Sequence, residues 1–131
     1  MKNTLTLLIC WFTCLTLQGQ IRDITVQNSP TDQLLIGLHI LDEKTVWASG
    51  TGGTVIFTSD GGQSWNKATW DQEPTLQFRD IHGFNATQAA VLSSGTGAES
   101  RIYQLDTSQN TWLEVYRMPH ETGFLDALAF W

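Results

Sequence analysis

Five polar side chains fall at recurring positions of the sequence and could bind a ligand. These residues are His39, Arg79, Asp80, His82 and Asp126. An arginine can hold a carboxylate through paired hydrogen bonds, and a histidine can bind a metal or carry a proton. Alternatively, the arginine and the aspartates form salt bridges between neighbouring structural units, and the two histidines serve packing. The sequence favours this second interpretation, because His39 and His82 stand 43 residues apart in matching segments.

Patterns that would identify a catalytic centre are missing from the sequence. The segment Gly50-Thr51-Gly52-Gly53 lacks the Lys-Ser/Thr pair of a phosphate-binding loop, and metal-ligand spacing occurs nowhere. The chain has 7 Lys and Arg against 13 Asp and Glu, which leaves no basic patch for a nucleic-acid backbone. We therefore predict no catalytic residue, no metal, no cofactor and no nucleic-acid partner.

An internal repeat determines which elements position the five polar residues. The segment 78–84 aligns with 124–130 at a spacing of 46 residues. A looser copy at 35–41 lies 43 residues before the segment 78–84. Each of the two complete units holds four runs rich in Val, Ile, Thr and aromatic residues, separated by Gly, Asn and Asp. These predicted strands cover about 34–41, 45–49, 53–58 and 64–68, then 78–84, 88–93, 101–105 and 111–116.

Four strands per repeat of roughly 40–50 residues are typical of a β-propeller blade. The predicted fold is all-β, a β-propeller fragment with two four-stranded antiparallel blades at 33–70 and 71–119 plus the first strand of a third within 120–131. A β-sandwich would not explain why the motif order recurs, and a β-solenoid would repeat at a shorter period. First strands line the channel of a propeller, so we expect the five polar residues to face it. Residues 20–32 are expected to hold an extra strand and a linker.

The segment Thr58-Ser59-Asp60-Gly61-Gly62-Gln63-Ser64-Trp65 predicts a specific turn between the third and fourth strands. The Asp60 carboxylate can accept hydrogen bonds from the backbone N–H groups that follow it. Gly62 permits a positive φ, which a residue with a Cβ atom resists. Trp65 supplies a large apolar surface that can fold back on the turn. Thr58, Asp60, Gly62 and Trp65 are thus expected to be structural.

A degenerate second copy of this turn keeps Asp106 and Trp112 but lacks both glycines. At these two segments the chain resembles the Asp-box, or BNR-repeat, propellers, which include the sialidases. It is most similar to the exported bacterial relatives of the photosystem II assembly factor-like propellers. The resemblance covers about residues 33–131. It implies that the Asp box is a structural turn at the blade periphery, so Asp60 is not expected to be a catalytic acid.

The resemblance also implies a function. The first expectation is an exported, non-catalytic propeller scaffold that binds a protein or glycan partner at the channel face. The alternative is a sialidase-like or other glycoside hydrolase whose catalytic residues lie mostly in further blades. Phe78-Arg79-Asp80-Ile81 shares only its first two residues with the Phe-Arg-Ile-Pro signature of sialidases, which counts against this alternative.

The first 19 residues have the features of a cleavable secretory signal peptide. Lys2 precedes an apolar run from Leu5 to Leu17, whose 13 residues are too few to span a membrane. This predicts export to the periplasm, the cell surface or the medium, with no membrane span. The 112 residues from 20 onward make two blades and one strand, whereas a six-bladed ring needs roughly 270. We therefore expect the N-terminal piece of a longer propeller, whose remaining blades would be further partners.

Overall fold

The computed structural model describes residues 24–131, so the expected signal peptide at 1–19 lies outside the described residues. Eight strands and one turn of 3-10 helix follow one another in this part of the chain. The strands are β1 (Leu35–Ile40), β2 (Val46–Gly50), β3 (Thr54–Thr58), β4 (Asn66–Thr69), β5 (Gln77–Gly83), β6 (Gln88–Ser94), β7 (Arg101–Asp106) and β8 (Thr111–Arg117), and the 3-10 turn is Gly97–Glu99.

The strands form two antiparallel sheets in chain order. Strands β1 to β4 make one four-stranded meander, called blade 1, and β5 to β8 make the second, called blade 2. These sheets confirm the predicted all-β class with two four-stranded blades. The observed strand ends differ from the predicted ones by at most two residues, because glycine-rich and Asn/Asp-rich turns interrupt the β-branched and aromatic runs in both blades.

Both blades carry a β-bulge at the same place in the repeat. In blade 1 the pairing of β1 with β2 shifts between Leu35 and Gly37, so Ile36 has no ladder partner. In blade 2 the pairing of β5 with β6 shifts between Phe78 and Asp80, so Arg79 has none. A bulge adds one residue to a strand and increases its local twist. The sequence repeat is therefore also a repeat of backbone geometry.

The core of the molecule lies between the two sheets. Trp47 on β2 is fully buried, stacks on Phe57 with ring centroids 4.8 Å apart, and donates a hydrogen bond from Nε1 to the Asn85 carbonyl at 3.0 Å. Strands β1 and β2 lie against β5, whereas contact falls away towards the outer strands. The sheets thus pack as wedges that meet along their inner strands. The buried cluster comprises Trp47, Val55, Leu76, Phe78, Ile81, Ala89, Val91, Tyr103 and Leu105.

Two expected strands are not formed within residues 24–131. Residues 24–34 contain no strand, and neither do residues 118–131, where the first strand of a third blade was predicted. A strand exists only where a hydrogen-bonded ladder forms, and residues 124–130 form no ladder with any described strand. Residues 124–130 nevertheless contact β5 through the side chains described below.

Candidate functional site

The structure places four of the five predicted polar residues on the inner strands β1 and β5, and Asp126 in the segment after β8. The rings of His39 on β1 and His82 on β5 have centroids 4.2 Å apart. The Nδ1 atom of His39 accepts a hydrogen bond from the Gly83 backbone N–H at 3.1 Å. Partial burial lowers the pKa of His39 below its ordinary value, and nearby His82 lowers it further, while Asp80 opposes both effects. His39 is therefore held in the neutral form, as an acceptor that joins blade 1 to blade 2.

The histidine pair continues into an aromatic cluster. The ring of His82 lies 4.7 Å from that of Phe130 and 5.2 Å from that of Phe84, measured between centroids. Phe84 and Phe130 in turn meet edge to face at 5.0 Å. These two phenylalanines align at the repeat spacing of 46 residues, and that equivalence was a signal that sequence analysis could have used to add them to the candidate cluster.

The charged members of the group connect blade 2 with the segment after β8. Asp80 accepts hydrogen bonds from the backbone N–H of Ile81 at 2.9 Å and of Leu128 at 2.7 Å. Arg79 forms an ion pair with Asp126, and both side chains are well exposed, at 46% and 66%. We call the five residues the inner-strand cluster. Its contacts join neighbouring parts of the repeat, which supports the structural interpretation made from the sequence.

The contacts of the inner-strand cluster leave two of its charged side chains accessible. Both carboxylate oxygens of Asp80 are occupied by backbone donors, so this side chain is not poised to act on a substrate. Among residues 24–131 there is no group of three or more His, Cys, Asp or Glu side chains that could hold a metal. Arg79 and Asp126, by contrast, remain accessible and can exchange their mutual pairing for a ligand's charged groups.

An exposed apolar surface lies on β1 and the residue before it, on the face of blade 1 that points away from blade 2. Leu38 and Ile40 are 62% and 64% exposed, and Leu34 is 67% exposed. A groove of about 200 Å³ continues from Leu35 and Leu38 over Ala48 and Ile56. Contiguous exposed apolar surface marks a contact site for another protein surface. We call this surface the β1 apolar strip, made of Leu34, Leu35, Ile36, Leu38 and Ile40.

The predicted Asp-box turn follows β3 with the expected geometry. The Oδ1 atom of Asp60 accepts hydrogen bonds from the Ser64 backbone N–H at 3.0 Å and from the Thr58 hydroxyl at 2.7 Å, and Oδ2 accepts one from the Ser64 hydroxyl at 2.6 Å. These bonds, chiefly those from Ser64, lower the pKa of Asp60 to about 2. Gly62 has a φ of 86°. The carboxylate is thus fully committed to the turn.

Trp65 extends the turn to the segment that precedes blade 1. Its Nε1 donates a hydrogen bond to the Gln27 side-chain carbonyl at 2.9 Å, and Gln27 also lies over Gly62, where a Cβ atom would collide with it. Trp65 lines the same groove as Leu38. The tryptophan therefore ties residues 27–29 to the face of blade 1, as well as closing its own turn.

The degenerate second turn joins β7 to β8. Asp106 accepts hydrogen bonds from the backbone N–H groups of Ser108 and Gln109 at 2.9 and 3.3 Å, and Asn110 takes the positive φ, 50°, that glycine takes in blade 1. Trp112 lies within the predicted strand 111–116 and pairs opposite Leu105 in β8. It packs against the core, stacked on Phe78 at 5.7 Å, and stays partly exposed.

No helix within residues 24–131 combines the length and apolar character that crossing a membrane requires. No protein-family model matches the sequence. No curated protein sequence matches it either.

Two solved structures of YCF48 are similar to this chain in fold. One, described as YCF48 bound to D1 peptide, has a TM-score of 0.58 and 20% sequence identity over 75% of this chain and 30% of that one. The other, YCF48 from Cyanidioschyzon merolae, has a TM-score of 0.52 and 20% identity over 70% of this chain and 29% of that one. The chain thus spans less than a third of either YCF48 chain. These similarities confirm, at the level of fold, the expected likeness to photosystem II assembly factor-like propellers.

Proposed function

We propose that this chain is an exported, non-catalytic binding module of the β-propeller type, which holds a protein partner at its inner-strand side. The observation that carries the proposal is the accessible Arg79–Asp126 pair beside the exposed ring of Phe124, whose centroid lies 5.9 Å from the Arg79 guanidinium carbon. An extended peptide that offers apolar side chains and a carboxylate would be complementary to this surface. A YCF48 chain of similar fold is described as bound to a peptide, which supports a peptide as the partner class.

Export rests on the N-terminal sequence. The apolar run from Leu5 to Leu17 behind Lys2 supports a signal peptide. The chain spans 30% of the first YCF48 chain, and its blade 1 exposes apolar side chains on the face opposite blade 2. Both observations support the proposal that the two blades act inside a larger ring whose other blades cover that face.

A glycan is the second candidate ligand at the inner-strand side. Phe84, Phe124 and Phe130 expose 42%, 54% and 48% of their surface near the inner-strand cluster, and aromatic rings are suitable platforms for the apolar faces of sugars. A glycoside hydrolase would instead need a free acid and a second carboxylate at a defined separation. Since Asp80 is fully hydrogen-bonded, such groups would have to come from further blades.

Peptide binding by variants of the inner-strand side tests this function. The wild-type chain is screened against an array of synthetic peptides, and the best binders are titrated in solution. We expect Arg79→Ala and Phe124→Ser each to weaken binding by about tenfold, which corresponds to about 1.4 kcal/mol. Lys67→Ala, an exposed residue of the outer strand β4, is the matched control and should bind like the wild type.

Two results would count against the proposal. If neither variant changes the affinity for any selected peptide, the inner-strand side is not the binding surface. If the wild-type chain hydrolyses sialosides or glucans, the module is not a passive binder. A third result would favour a glycan as the ligand: the wild-type chain binds glucans or sialosides without hydrolysing them, it binds no peptide, and Arg79→Ala loses the glycan binding.

A further inference from the structure

We infer a second binding site, for a neutral saccharide, in the cleft between the outer strands of the two blades. The cleft has a volume of about 360 Å³ and lies where the end of β4 and the following linker approach the β7–β8 hairpin. One side of the cleft comes from the linker that follows blade 1, with Trp70 and Asp71. The other side comes from the β7–β8 hairpin of blade 2, with Asn110 and Trp112. Clefts between packed structural units are the usual location of small-ligand sites, and this volume is within their usual range.

The walls of this outer cleft combine two tryptophan rings with polar groups. The rings of Trp70 and Trp112 have centroids 5.5 Å apart at an angle of 45°, and both residues are partly exposed. Sugars present an apolar C–H face and a rim of hydroxyl groups, so an indole surface edged with amides and carboxylates is complementary to them. Asp71, Gln72, Asn110 and Thr111 supply that polar edge.

The polar groups of the outer cleft are not used by the fold. Within residues 24–131, the side chains of Asp71, Gln72, Asn110 and Thr111 take part in no hydrogen bond with another residue. Other side chains of the same hairpin do form such bonds: the Asp106 carboxylate accepts a hydrogen bond from the Ser108 hydroxyl at 2.6 Å. The buried Nε1 of Trp70 also finds no partner in this part of the chain. Because this atom is enclosed, it lies behind the wall of the cleft, and the groups offered to a ligand are the four exposed polar side chains and the exposed parts of the two indole rings.

Charge selects a neutral saccharide over an anionic one. The lining contains one carboxylate, that of Asp71, and no Lys or Arg, and the whole chain has a formal charge of −6. A sialic acid or uronic acid would bring its own carboxylate near Asp71 without a cation to offset the repulsion. A neutral hexose can instead donate hydroxyl protons to the Asp71 carboxylate and accept from the amides of Gln72 and Asn110. This site is separate from the inner-strand cluster, so the inference does not depend on the peptide-binding proposal.

Binding of defined oligosaccharides to the full chain tests the inference. Cellotetraose and maltotetraose are the neutral probes, sialyllactose is the anionic probe, and the indole N–H signals of Trp70 and Trp112 in nitrogen–proton correlation spectra report binding. We expect a saturable shift of these signals with at least one neutral probe at millimolar concentration. Asp71→Ala and Asn110→Gly should each weaken that binding by about tenfold, since each removes a hydrogen-bonding group from a partly enclosed site.

The variants are chosen to leave the fold intact. Asp71 is exposed, so its truncation leaves no cavity. In Asn110→Gly the new glycine tolerates the positive φ of 50° at this position. Gln109→Ala, on the same turn but outside the cleft lining, is the control and should bind like the wild type. The inference is overturned if neither neutral probe shifts the two indole signals saturably, if sialyllactose binds more tightly than both neutral probes, or if Asp71→Ala and Asn110→Gly bind as well as Gln109→Ala.

Discussion

At the residue scale, His39 combines a packing role with a titratable one. Its Nδ1 accepts the Gly83 N–H, and its ring lies against that of His82. Protonation would remove the acceptor and place a cation beside a second imidazole. The charged group that acts on it is Asp80, which favours the protonated form. His39 thus connects the blades best when it is neutral.

This arrangement predicts a pH dependence of stability. The pKa of His39 in the folded chain lies below its ordinary value of 6.5, so the unfolded chain binds the proton more readily. The stabilisation is fully present above pH 6.5 and is lost as the pH falls below it. Urea unfolding of the wild type should therefore give a lower free energy of unfolding at pH 5.5 than at pH 8.

His39→Asn separates this effect from other titrations. Asparagine can offer a side-chain oxygen to the Gly83 N–H but does not titrate. We expect the difference in unfolding free energy between pH 8 and pH 5.5 to shrink in this variant. An unchanged difference would show that other groups cause the pH dependence.

Asp60 gives a prediction at lower pH. Its pKa is lowered from 3.8 to about 2 by hydrogen bonds from Ser64 and Thr58. The stability that this carboxylate contributes is therefore present above about pH 3.8 and is lost as the pH falls towards 2. We expect Asp60→Ala to lower the urea midpoint at pH 7 and to flatten its decline between pH 4 and 2. Lys67→Ala, on the exposed strand that follows the turn, should leave both measurements unchanged.

At the element scale, the strands could be predicted from sequence, whereas the side-chain contacts between them could not. The runs of β-branched and aromatic residues and the turn-forming residues between them are local features, so the observed strands lie within two residues of the predicted ones. Trp112 was expected in a strand and lies in β8, but its stacking on Phe78 of β5 was not predicted. Such contacts depend on tertiary packing, which a motif does not contain.

The contact between β2 and β5 is a second feature that the sequence did not reveal. A Cβ atom at Gly83 would collide with the indole of Trp47, which is fully buried between the sheets. Nothing in the repeat alignment marks this pair, because the repeat carries Leu92 at the position of Trp47, and Ile40 and Ala129 at the position of Gly83. The recurring spacing predicted that blades pack against each other but not which side chains would meet.

This contact predicts a strong effect of a small substitution. Gly83→Ala should lower the free energy of unfolding by about 1–3 kcal/mol, since overpacking a rigid core forces side chains out of their preferred rotamers. Trp47→Phe alone should also destabilise the chain, because it leaves a cavity and removes the hydrogen bond to Asn85. The double variant should lose less than the sum of the two single losses when urea unfolding is compared. Additive losses would mean that the two residues do not meet.

At the scale of the whole molecule, four of the five polar residues lie on the inner strands β1 and β5, and Asp126 lies in the segment after β8. The repeat explains this placement, because it puts equivalent positions side by side in a stack of blades. The β1 apolar strip and the outer cleft were not predicted, because both depend on which faces the folded chain leaves uncovered. Such faces are properties of the assembled molecule and not of any one motif.

The β1 apolar strip predicts concentration-dependent self-association of the purified chain. Leu38 and Ile40 are 62% and 64% exposed on a face that has the shape of a blade contact, and such surfaces associate in water. Sedimentation of the wild type should show the monomer in equilibrium with larger species, whereas Leu38→Lys should shift the population towards monomer. Lys67→Gln, at an exposed site on blade 1, should behave like the wild type. A wild type that stays monomeric at high concentration would contradict the prediction.

The paired bulges have a consequence for how blades of this kind can diversify. Each of the remaining positions of β1 and β5 is constrained by a cross-strand neighbour, whereas Ile36 and Arg79 have none. Both side chains stand outside the ladder and reach solvent. Each repeat therefore offers one site at its inner edge where the side chain can be exchanged at little cost to pairing, here an isoleucine in one blade and an arginine in the next. Substitutions at such sites would change which ligand the blades prefer without changing the fold.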